Sequence, residues 1–144
     1  DITLGVILEH ILPFAHQNLE ILDLEEHPGS YGVMGASMGG VMSLYTALRI
    51  PKVFGKVLSL SGAFGMEKDL VVYDLVRYLP LRPIEVWMAV GRYEWLLETN
   101  RKMHPLLLER GYRAEYMEYN GGHNYTIWRN VYYQGLEYLF GNKP

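Results

Sequence analysis

The sequence predicts an α/β fold, a mostly parallel sheet with helices on both faces, and three observations carry that expectation. From Tyr31 onward, short apolar runs that suit buried strands alternate with longer stretches of helical spacing. Glycine and proline punctuate these elements instead of clustering into linkers. At Gly35-Ala36-Ser37-Met38-Gly39, one serine stands between two glycines at the junction of a strand and a helix.

The elements follow in order. Asp1 leads directly into an apolar helical pattern through Leu4, Leu8, Ile11, Ala15 and Leu19, which Pro13 should bend or interrupt. After a polar loop ending in "EEHPGS", residues 31 to 35 read as a short buried strand. A helix over about residues 38 to 50 carries Val41, Leu44, Tyr45 and Leu48 at spacings of three and four, and Pro51 stops it. "GKVLSLSGAF" is a second buried strand through Val57, Leu58 and Leu60, followed by a helical stretch from around Glu67 to Tyr78. "PIEVWMAVG" is a third strand. The helix from about Trp95 to Arg110 has Leu96, Asn100, Met103 and Leu107 on one face and Gly111 as its C-terminal cap. "YRAEYMEY" reads as a fourth, edge strand, and Tyr125 to Phe140 as a closing helix.

Composition narrows the chemistry. The 144 residues are 49% apolar, with no internal repeat or low-complexity tract, which fits one α/β domain over residues 1–144. Lys and Arg number 13 against 16 Asp and Glu, and no basic run offers a footprint for nucleic acid. No apolar span is long enough to suggest a membrane helix. There is no cysteine, which removes thiolate catalysis and cysteine-ligated zinc. The histidines, at positions 10, 16, 27, 104 and 123, lack the paired helical spacing of a zinc hydrolase, so no metal is expected, and the serine chemistry that the Ser37 motif suggests calls for no cofactor.

The serine motif has the form of a nucleophile elbow. A sharp turn holds the serine in a strained backbone conformation, and the close passage of strand and helix backbones demands glycine at both flanking positions. The Met38 amide then lies at a helix N-terminus, where it can stabilise an oxyanion. In parallel sheets the chemistry gathers beyond the carboxyl ends of the strands. The loop after the third strand carries Glu94, and "NGGHNY" after the fourth carries His123, which gives the chain order serine, acid, histidine. Glu98, and Glu67 and Asp69 after the second strand, are alternative acids. Phe64, Tyr93, Trp95 and Tyr125 are candidate aromatic walls for a substrate, with membership of the core as the equal alternative.

In order and spacing, "GASMGG", "SLSGAF", "VGRYEWLLETNRKM" and "GGHNYTIWR...GLEYLF" resemble the esterase family that contains enterochelin esterases, feruloyl esterases and S-formylglutathione hydrolase. The resemblance implies the C-terminal portion of an α/β-hydrolase fold, with Ser37 as nucleophile, His123 as base and Glu94 where many relatives have aspartate. Trp128 and Arg129 match a family Trp-Arg pair near the start of the last helix. The expected activity is hydrolysis of a small-molecule ester through an acyl-enzyme, without nucleic-acid or membrane partners. An acyltransferase on the same triad, as in the related mycolyl transferases, and a catalytically silent interaction module are the alternatives. Members of this family have further strands ahead of the segment that begins here, including the loop that supplies a second oxyanion amide. An N-terminal segment or a partner chain is therefore expected to complete the sheet.

Overall fold

The computed structural model describes residues 2–65 and 70–141. Its centre is a four-stranded, all-parallel sheet in the order β1-β2-β3-β4, formed by β1 (Tyr31–Ala36), β2 (Phe54–Leu60), β3 (Glu85–Gly91) and β4 (Arg113–Tyr119). The strands add sequentially in one direction, so β1 and β4 are the two edges.

Strand alternation divides the core in two. Val57, Val86 and Met88 point to one face, where they pack against α3 (Met38–Arg49), α4 (Leu70–Tyr78) and α5 (Leu97–Glu109) through Leu44, Leu48, Val76, Met103 and Leu107. Leu58, Leu60, Trp87 and Ala89 point to the other, which α6 (Tyr125–Phe140) covers with Val131 and Leu139. This two-sided burial is why β2 and β3 read as near-continuous apolar runs and not as alternating ones.

Local signals account for the ends. The Tyr112 amide donates to the Leu107 carbonyl and the Gly111 amide to that of Leu108, with Gly111 at φ +86°, so α5 ends in the expected glycine cap. At the start of α6, the Asn124 side chain accepts from the Ile127 amide. Pro13 does not break the first helical segment. α1 (Ile2–Val6) and α2 (Leu12–Asn18) are joined by a π-helical turn over Ile7–Ile11, which absorbs the irregularity just ahead of the proline. The helix expected from Glu67 starts, as described, at Leu70, and Glu67 and Asp69 lie outside the described residues.

The N-terminal helices contrast with the rest. Ile2, Phe14 and Leu19 are 88%, 67% and 62% exposed, and Met34 on the edge strand β1 is 55% exposed. Among the described residues, the β1 side of the molecule therefore presents apolar side chains beside an unpaired strand edge.

Candidate active site

Because all four strands are parallel, the loops that follow them share one edge of the sheet. Ser37 follows β1, Ser61 follows β2, Glu94 lies three residues past β3 and His123 four past β4.

Ser37 occupies φ 56°, ψ −121°, a backbone conformation that non-glycine residues rarely adopt, immediately before α3. Its amide donates to the Leu60 carbonyl, and its own carbonyl accepts from the amides of Gly40, Val41 and Ala63. Met38 begins the helix, where an amide has no intrahelical acceptor and is available to an anion. The glycine requirement is narrower than the motif suggests. A Cβ on Gly35 would stand 2.3 Å from the Gly39 carbonyl oxygen, whereas one on Gly39 would meet nothing within 4 Å. The tight crossing thus needs glycine at position 35, because strand β1 passes over the first turn of α3 there, while position 39 faces open space. Gly35→Ala is expected to cost about 3 kcal/mol or more of folding stability and Gly39→Ala less than about 0.5 kcal/mol, read from urea midpoints. Equal shifts for the two variants would contradict this geometry.

The acid and the histidine meet. His123 Nδ1 lies 2.6 Å from Glu94 Oε2, with the Glu94 side chain fully buried and that of His123 17% exposed. The two loops are sewn together: the Tyr93 amide donates to the Gly121 carbonyl and the Arg92 amide to that of Tyr119. A Cβ on Gly91 would lie 2.3 Å from the Gly121 carbonyl oxygen, so the close approach of the loops depends on that glycine. The imidazole sits between two indoles, with ring centroids 4.8 Å from Trp95 and 4.9 Å from Trp128, the latter edge-on.

Glu94 has a second set of partners that sequence reasoning missed. Oε1 accepts from the Gly91 amide at 2.8 Å and the Ser61 hydroxyl at 2.7 Å, and it lies 3.2 Å from the Tyr119 hydroxyl. Ser61 Oγ in turn accepts from Trp128 Nε1 at 2.9 Å and lies 3.0 Å from the Tyr119 hydroxyl. Burial pushes the Tyr119 phenol up to about 12, which keeps it protonated and able to donate. Ser61 is the only described non-glycine residue besides Ser37 with positive φ, at 48°. Its place at the end of β2 is the available signal, since the ends of the other three strands carry the polar side chains Ser37, Glu94 and His123. Asn100, expected on the buried face of α5, donates to the Gly62 carbonyl at 2.8 Å and braces the loop that follows Ser61.

Among the described residues no hydrogen bond joins Ser37 Oγ to the imidazole. Such contacts are often long in a free site and tighten only when substrate is bound. A cleft of about 470 Å³ opens beside the elbow, lined in part by Gly35, Ala36, Leu60, Tyr125, Trp128 and Arg129. Of the four candidate wall residues, Tyr125 lines this cleft, and Tyr93, Trp95 and Tyr125 are 76%, 75% and 74% exposed, whereas Phe64 is 1% exposed. Phe64 belongs to the core and not to a wall: the chain turns after Gly62 so that the ring packs under that glycine. No group of three or more histidine or acidic side chains among the described residues could hold a metal ion, and no described helix is long and apolar enough to cross a membrane.

The iron(III) enterobactin esterase of Dickeya dadantii is 26% identical over 156 residues, covering 96% of this chain and 35% of the relative. An uncharacterized protein of Bacillus subtilis, YbbA, is 26% identical over 153 residues, covering 96% of this chain and 59% of its own length. The chain therefore spans between about a third and three fifths of these relatives. In structure, the enterobactin esterase of Shigella flexneri superposes with a TM-score of 0.83 at 23% identity, over 95% of this chain and 37% of that one. The S-formylglutathione hydrolase of Staphylococcus aureus superposes with a TM-score of 0.74 at 18% identity, over 95% and 62%. The parallel sheet with helices on both faces is thus part of an α/β-hydrolase fold, as the sequence motifs imply. The family described as "Putative esterase" matches residues 5–139, nearly the whole chain, and the protein belongs to that esterase family.

Proposed function

We propose that the chain hydrolyses a small-molecule carboxylic ester through an acyl-enzyme, with Ser37 as nucleophile, His123 as general base and acid, and Glu94 as the orienting carboxylate. The observation that carries this reading is the 2.6 Å contact between Glu94 Oε2 and His123 Nδ1 at the strand edge that also bears the elbow. An ionised carboxylate only accepts, so Nδ1 carries the proton and Nε2 keeps its lone pair for the serine. Attack by Ser37 Oγ on the ester carbonyl passes the hydroxyl proton to Nε2, and the Met38 amide faces the charge that develops on the carbonyl oxygen. Nε2 then returns the proton to the departing alcohol, and water repeats the sequence to release the acid. No step calls for a cofactor. The buried Glu94–His123 pair argues against a silent module, since a chain kept only for its surface has no need to hold an imidazole on a carboxylate. A fluorophosphonate probe should label wild-type protein at Ser37 and leave Ser37→Ala unlabelled. A screen of p-nitrophenyl, feruloyl and thiol esters then finds the acyl class, with Tyr93, Trp95 and Tyr125 as the exposed rings available to it. Labelling that survives in Ser37→Ala would refute the assignment.

We further propose that a preceding segment or a partner chain pairs with β1 and completes the site. Support comes from the unpaired β1 edge, the exposed Ile2, Phe14, Leu19 and Met34, and the partial coverage of both relatives. An oxyanion site built from one amide forgoes on the order of a hundred- to a thousandfold in rate relative to two. Residues 1–144 alone are therefore expected to turn over poorly and to self-associate in sedimentation, with both properties reversed when the completing segment is supplied. A monodisperse monomer with full turnover would show that the chain builds its own second donor and protects its own edge.

A further inference from the structure

The carboxylate of Glu94 uses its two oxygens differently. Oε2 faces His123, while Oε1 is enclosed by the Gly91 amide, the Ser61 hydroxyl and the Tyr119 hydroxyl. We propose that Ser61 and Tyr119 are positioning residues that lock the Glu94 carboxylate in the one rotation that aims Oε2 at the imidazole, an inference that rests on reading Ser37, Glu94 and His123 as a triad. The need for them follows from the residue type. Glutamate has one more rotatable bond than aspartate, and its terminal torsion is broad and roughly two-fold, so an unrestrained carboxylate at this position can turn away from the histidine. Here the side chain curls back over its own strand end, with the Gly91 amide three residues earlier donating to it.

Proton bookkeeping sets the direction of the relay. A hydroxyl has one proton and two lone pairs. Trp128 Nε1 can only donate, so one lone pair of Ser61 Oγ is taken by the indole. An ionised Glu94 can only accept, so the single Ser61 proton goes to Oε1 at 2.7 Å. The Tyr119 proton is left to point at the remaining lone pair of Ser61, at 3.0 Å, or at Oε1, at 3.2 Å. Trp128 touches both ends of this chain, donating to Ser61 and presenting its ring face or edge to His123. The chain indole, serine, carboxylate, imidazole is thus fully satisfied, and only the Tyr119 proton has a choice, between two acceptors of the same cluster. Ser61 takes up an unfavourable backbone conformation, φ 48°, to hold its place in the chain.

Two variants separate positioning from simple bracing. Ser61→Gly removes the hydroxyl and at the same time relieves the positive φ, so a purely structural Ser61 predicts unchanged kcat, with any change confined to the thermal midpoint, where the lost hydrogen bonds and the relieved φ oppose each other. Tyr119→Phe removes one oxygen and keeps the buried ring. With the protein in its active form, each variant is expected to lower kcat roughly ten- to a hundredfold with KM nearly unchanged, since the loss concerns a hydrogen bond to a charged group outside the substrate contacts. The second readout needs no turnover: the low-field proton resonance expected of His123 Nδ1–H in the wild-type free protein should broaden or vanish in both variants while the folded spectrum persists. Wild-type kcat together with an intact resonance in both variants overturns the proposal. The triad reading fails by a different result, retention of turnover in Ser37→Ala, which leaves the resonance test standing.

Discussion

With the completing segment present, Ser37→Ala is expected to lower kcat by about a millionfold, the scale seen when the nucleophile of a triad enzyme is removed, while leaving the folded state intact. The separation of the two effects follows from what the hydroxyl does and does not touch. The Ser37 side chain makes no capping bond to α3, so its removal leaves no helix amide newly orphaned. The bonds that shape the elbow belong to the backbone: the Ser37 amide to Leu60, and the Ser37 carbonyl to Gly40, Val41 and Ala63. Alanine keeps all of them and meets the same positive φ that serine already tolerates. The unfolding midpoint should therefore move by less than about 1 kcal/mol, in contrast to Gly35→Ala, where the added carbon collides with backbone. Circular dichroism, a urea titration and an ester assay on one preparation decide the matter. Substantial turnover in Ser37→Ala would transfer the nucleophile to another residue, and loss of the fold would mean that the hydroxyl has structural work unseen in the free protein.

The two central strands are legible because each is buried on both faces: "VWMAV" within β3 has no polar residue to disguise it, and the same holds for Val57 to Leu60 apart from Ser59, whereas the edge strands β1 and β4 are half exposed. Once the strands were placed, parallel order put Ser37, Glu94 and His123 on one edge without further information. What stayed hidden was set by contacts between distant elements. Ser61, just past β2, and Tyr119 of β4 converge on one carboxylate, with Trp128 of α6 bonded to Ser61 behind them, and no spacing in the chain announces that convergence. Phe64 can be wall or core as far as the sequence goes, and only the turn at Gly62, which folds the ring into the core, separates the two. The roles of Gly35 and Gly39 could not be distinguished in a symmetric motif, because only the crossing of two backbones makes one obligatory and the other permissive. Pro13 announced an irregularity correctly, but whether a helix answers proline with a kink, a break or a π turn depends on the packing around it.

Glu94→Gln is expected to lower kcat by about ten thousandfold, and the surroundings of the carboxylate say why an isosteric change should cost so much. The Gly91 amide can only donate, and it points at Oε1 from 2.8 Å, so the carbonyl oxygen of a glutamine must occupy that place. The amide nitrogen is then forced toward His123, where the carboxylate presented Oε2 at 2.6 Å. Facing a donor, Nδ1 must give up its proton and accept, which moves the imidazole proton to Nε2. That tautomer offers Ser37 a donor where the reaction needs a base, so the histidine is present, correctly placed and in the wrong state. Residual turnover persists because the Met38 amide and substrate binding still act. The comparison variants are Glu67→Gln and Asp69→Asn, in the segment after β2, which should stay within a few-fold of wild type. If either of them lost more activity than Glu94→Gln, the acid would belong to that segment, and the 2.6 Å contact with His123 would be a structural pairing without a catalytic role.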